Sequence, residues 1–83
     1  MHRAGRFPIR VFRAAMDPKW TQSELGRRVQ LESGRTLNQN RVWQIENGEG
    51  APPTEDERKC IAKALGVRES AIAWADVRRA MAS

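Results

Sequence analysis

The 83-residue chain is poor in the side chains that most enzymes use: it has one histidine, one cysteine and no tyrosine. His2 lies near the N-terminus, so imidazole-based acid–base or nucleophilic chemistry has a single candidate outside any patterned segment. The lone Cys60 forms no intramolecular disulfide and assembles no cysteine-based metal site. Within RKCIAKAL it shares a helical face with Ile61, Ala64 and Leu65, which reads as a small core residue rather than a reactive thiol. Paired catalytic carboxylates are not recognisable either, so the expectation is a non-enzyme without metal or cofactor. Long apolar runs are lacking too: none approaches the roughly 20 residues of a bilayer span. The opening MHRAGRFPIRVF is basic but contains no apolar signal core. A soluble, cytoplasmic protein with no membrane partner is expected. At this length a single modest core is the limit, with about two thirds of the unfolded surface buried.

Positive charge is present in excess, with a formal net charge of +5. Residues 1–47 hold nine Lys/Arg against four Asp/Glu, whereas residues 48–83 hold six of each. The whole excess therefore falls in the first half. Such asymmetry suits a polyanionic partner, because Lys and Arg supply phosphate contacts. It equally suits a solvated basic surface, and charge alone does not separate the two.

Helix punctuation is legible throughout. Pro8 suits the start of a helix with Ile9, Phe12 and Met16 on one face, and Pro18 in DPK ends it. Thr21 and Glu24 form a T-x-x-E capping box before a second helix, about 22–32, with Leu25 and Val29 inward and a stop at Gly34. Thr36 and Gln39 offer a T-x-x-Q box for a third helix, about 37–47, which buries Leu37, Val42 and Ile45 and ends at Asn47-Gly48. Thr54 and Glu57 open a fourth, with Ile61, Ala64 and Leu65 inward and Gly66 as its stop. A fifth is expected from about Arg68 toward Met81. No segment alternates with period two, so the fold class is all-α, with a basic arm over 1–7 and a five-helix domain over 8–83.

The third helix reads NQNRVWQIENG, an unusual concentration of amides. With Val42 and Ile45 inward, Gln39, Trp43 and part of Gln44 turn outward, and Asn38 and Asn40 lie near its start. Asn and Gln bond adenine N6 and N7, and Arg bonds guanine O6 and N7. A helix of this kind, placed second in a helix-turn-helix, reads base edges with its N-terminal residues. The same polar residues would also merely cap and solvate a surface helix, and periodicity leaves both readings open.

TQSELGRRV, RVWQIENG and PPTEDERKCIAKALGV occur in that order, and together they resemble the Cro/Xre-type helix-turn-helix family, which includes the phage lambdoid repressor domains. The likeness covers about Ile9 to Trp74. It implies a lambda-repressor-like fold and sequence-specific binding to double-stranded DNA as a homodimer, typically a transcriptional repressor of phage, plasmid or mobile-element type. By the resemblance, Asn38, Gln39, Asn40, Arg41 and Gln44 would contact bases. Gln22 and Asn47 would contact the phosphate backbone, and Lys19 is expected to do so as well. Apart from the family's pattern, Arg35 on the long connection would reach the backbone or bulge into solvent, and Trp43 would reach a phosphate or pack over that connection. Arg13 and Glu46 would form a structural ion pair clamping the first helix to the third. Trp74, Val77 and Met81 on the last helix would supply a dimer contact, or Trp74 would fold back onto the core.

Two departures stand out: QLESGRT makes the connection over residues 30–36 longer than the family's tight turn, and MDPKWTQ is also extended. Arg3 and Arg6 in the arm suit a minor groove, or a solvated tail. An alternative of a different class is an antitoxin that binds a toxin protein and autoregulates its operon, with a toxin or anti-repressor as protein partner. A basic RNA-binding or scaffold protein is a further rival.

Overall fold

Thr54 begins the longest helix of the molecule by a reciprocal exchange. Its Oγ1 accepts from Glu57 N–H at 3.0 Å, and Glu57 Oε1 accepts from Thr54 N–H at 2.9 Å. Two of the orphan donors at a helix start are thereby satisfied. The computed structural model describes residues 6–75, and the elements in chain order are α1 (Ile9–Ala14), α2 (Gln22–Arg28), α3 (Gln39–Asn47) and α4 (Glu55–Leu65), followed by a 3-10 turn (Glu69–Ala71). The fold is all-α. Among the described residues the only strand-like feature is an isolated parallel bridge between Phe7 and Ile72, and no helix is long and apolar enough to cross a membrane.

The core is formed by Ile9, Leu25, Val29, Leu37, Val42, Ile45, Ile61, Ala62, Leu65 and Ile72, so every helix contributes. Phe12, Met16, Trp20, Leu31, Cys60, Ala64, Val67 and Trp74 pack around it, half-buried. Cys60 Sγ donates to Asp56 Oδ1 at 3.3 Å, and burial pushes its thiol pKa up, which opposes thiolate formation.

Among the described residues there are four α-helices, and the stretch from Arg68 to Ala75, expected to open a fifth, is not α-helical. The chain after Gly66 makes one 3-10 turn, then Ile72 adopts extended geometry with φ −96° and ψ 130°. Phe7 N–H donates to Ala71 O at 3.1 Å and Ala73 N–H donates to Phe7 O at 2.8 Å, so this segment finds its backbone partners across the chain instead of along a helix. The extended geometry also drives Ile72 into the core, where it is 1% exposed. Phe7, assigned to a free arm, is thus docked through its backbone. Residues 1–5, with Arg3, and 76–83, with Val77 and Met81, lie outside the described residues.

Helix α2 also ends earlier than its apolar spacing suggests, at Arg28 instead of about residue 32. Val29 is fully buried but in extended conformation, and the chain then folds back through a turn in which Leu31 N–H donates to Arg35 O at 2.8 Å. Gly34 serves this turn, with φ +90°, rather than closing the helix. The fold-back brings Leu37 N–H onto Gly26 O at 3.1 Å. A Cβ at Gly26 would collide with the Leu37 carbonyl oxygen, so glycine is required by this close approach. Helix α3 is capped by Asn38, not Thr36, and begins at Gln39.

Candidate nucleic-acid interface

The buried side of α3 is fixed at two points. Glu46, late in the helix, receives Arg13 Nε at 2.8 Å on Oε2 and Arg13 Nη2 at 3.0 Å on Oε1. Gln22 Nε2 adds a third bond, to Oε1 at 3.0 Å, and Arg13 Nη1 reaches Trp20 O at 3.0 Å. One carboxylate therefore ties α1, the first residue of α2 and α3 together. The Arg13 and Glu46 side chains are only 16% and 10% exposed, where a lost partner leaves a charge unsatisfied.

Arg41 makes the second point. Its Nε and Nη2 donate to Glu57 Oε2 and Oε1 at 2.9 and 2.7 Å, a bidentate pair to α4. Nη1 also donates to Ala51 O at 2.9 Å, so the loop after α3 is drawn onto the same guanidinium. The hydrogen bonds from Arg41 hold the Glu57 carboxyl below its ordinary pKa, against the opposing effect of burial, and the Arg41 pKa is raised in return. Arg41, expected among the base readers, thus has its guanidinium engaged inward.

Gln44 is half-buried beside it, with Oε1 accepting from Arg41 Nη1 at 3.3 Å and the amide packed against Gly50. Asn38 is exposed, but its Oδ1 is committed to capping α3 through Arg41 N–H at 2.8 Å. Gln39, Asn40, Trp43 and Asn47 form the exposed strip of α3. Gln39 Oε1 accepts from Ser23 Oγ at 3.3 Å, which links the strip to α2, and Asn47 Nδ2 donates to Trp43 O at 2.8 Å. Trp43 is 45% exposed. Lys19 is exposed just before α2, and Arg35 is exposed on the connection between α2 and α3.

No family model, curated protein or solved structure matches the chain. The described residues form a small all-helical domain in which α2 packs on α3 as a helix-turn-helix-like pair joined through residues 29–38. Gln39, Asn40, Trp43 and Asn47 are brought onto one exposed stretch; Arg13, Gln22 and Glu46 are brought together at its edge. Trp74 is half-buried against the core, and its Nε1 donates to Glu69 O at 3.2 Å, so it folds back onto its own domain. Among the described residues there is no cluster of three or more His, Cys, Asp or Glu side chains able to hold a metal.

Two supporting residues escaped the sequence reading. Glu57 was read only as a cap, although a carboxylate bonding a backbone N–H through one oxygen can still face a guanidinium with both. Gly50 was read as loop, and its contact with Gln44 follows from a turn geometry that no local motif announces.

Proposed function

We propose that the protein is a sequence-specific double-stranded-DNA-binding transcriptional regulator of the Cro/Xre type, acting as a dimeric repressor of phage, plasmid or mobile-element type. The observation that supports this best is the strip Gln39, Asn40, Trp43 and Asn47, which faces solvent on a helix whose opposite side is buried through Val42 and Ile45 and whose two flanks are held by Glu46 and Arg41. Arg41 and Glu46 pair within the fold, whereas Asn40 and the amide nitrogen of Gln39 are open to recognise something else. Their amides match the donor–acceptor pattern of adenine in the major groove.

In this reading α3 lies in the major groove, with Gln39, Asn40 and Gln44 selecting sequence and Asn38 beside them. Lys19, Gln22, Arg35 and Asn47 set the register on phosphates. Gln22 is well suited, because Glu46 orients its amide at the start of α2, where backbone N–H groups favour an anion. Arg41 acts from behind, holding Gln44 in place. A bound dimer excludes polymerase, with half-sites spaced by about 10 bp or a multiple. Selection from a random duplex pool at physiological salt tests the proposal: a two-fold motif is expected, and the absence of any enriched motif overturns it.

A second reading is favoured by one observation. Phe7 and Val11 are 49% and 41% exposed, and Phe7 packs edge-on against Phe12. Together they offer an apolar surface for a protein, as an antitoxin would need. A small toxin-like protein encoded beside this chain, and bound through Phe7 and Val11, is the result that would favour it.

A further inference from the structure

Trp20 and Trp74 both have partners within the fold: the Arg28 guanidinium lies 4.6 Å above the Trp20 ring, and Trp74 bonds Glu69 O. Trp43 differs, being 45% exposed on the face of α3 that projects amides. It stands four residues after Gln39 and four before Asn47, so the three form one stripe, with Asn40 alongside. The Trp43 ring is not among the side chains packed against the core.

We propose that Trp43 recognises the C5-methyl group of a pyrimidine in the major groove, with thymine as the expected source. The proposal rests on the DNA-binding reading and adds to it a named chemical feature of the site's ligand. In the major groove the bases present donors, acceptors and one apolar group, the thymine methyl. Gln39 and Asn40 supply partners for the polar edges, and Trp43 is the one exposed apolar side chain of α3. A protein partner would be met by more than a single apolar residue set among amides on this face. The net positive charge of residues 1–47 as a whole also suits a polyanionic partner. A phosphate would be served by the indole N–H alone, leaving the ring without a role.

The test uses the duplex enriched from the random pool, with affinities read by fluorescence anisotropy. Each thymine is replaced in turn by uracil, which lacks the methyl, and each cytosine by 5-methylcytosine, which gains it. The expected result is weakening by roughly fourfold at one thymine per half-site on removal of the methyl. In Trp43→Ala and in Trp43→Gln that difference disappears, while the thermal midpoint and the salt slope stay unchanged.

A gain on cytosine methylation that depends on Trp43, with no uracil effect, would assign the methyl to 5-methylcytosine instead of thymine. Affinity indifferent to every exchange, or equally sensitive in the Trp43 variants, overturns the proposal and leaves the DNA-binding reading intact. A reduced salt slope in Trp43→Ala overturns it in favour of a phosphate contact. A pool with no enriched sequence overturns both.

Discussion

At the scale of single residues, the molecule separates side chains that hold α3 from side chains that α3 presents. Asn40 is exposed with no role in capping, so Asn40→Ala should leave the fold intact and cost about 1–3 kcal/mol at the preferred duplex only. Lys19→Ala should weaken preferred and random duplexes alike and reduce the salt slope by about one. Titrations of both variants on both duplexes, at several salt concentrations, check the assignment; equal losses on both duplexes for Asn40→Ala would contradict it. Part of this site was legible in advance, since the amides of NQNRVWQIENG and the inward spacing of Val42 and Ile45 already point one face outward. The inward turn of Arg41 was not legible. Its partner Glu57 lies in another helix, and pairing across elements leaves no trace in helical periodicity.

At the scale of elements, the contact between α2 and α3 depends on a missing side chain. Gly26→Ala would push the Leu37 carbonyl away and strain the bond from Leu37 N–H. A loss of about 1–3 kcal/mol is expected, read as a lower urea midpoint. The Arg41–Glu57 pair makes the attachment of α3 to α4 sensitive to acid. Glu57 has its pKa lowered from 4.5 in the folded state, so its contribution is complete above that value and fades as pH falls through the lower folded one. Stability of Glu57→Gln measured against pH should therefore be flatter than the parent's below 4.5. A parallel pair of curves would remove Glu57 from the account. Helix starts and stops at Thr21, Thr54, Gly48 and Gly66 were readable because caps are local. At Thr21 only half the box forms, since the Glu24 carboxylate is taken by Arg28 and Arg27. The end of α2 and the non-helical path of residues 68–75 were not readable. Val29 and Ile72 keep helical spacing in sequence, but each is buried in extended form through contacts made elsewhere in the chain.

At the scale of the whole molecule, charge and symmetry govern what should be seen. With all the excess positive charge in residues 1–47, binding should fall roughly a thousandfold between about 50 and about 200 mM salt for a dimer making several phosphate contacts. Sedimentation of the complex should give two chains per two-fold site. The bridge between Phe7 and Ile72 has a separate outcome for protein architecture. The chain enters and leaves the domain at neighbouring points, as a cassette does, so it is suited to insertion within a loop of a host protein. Joining the chain beyond Trp74 back to Arg6 through a short flexible linker, needed because the bridged segments run parallel, and opening it at the exposed Ser33–Gly34 turn should yield a circular permutant that still folds.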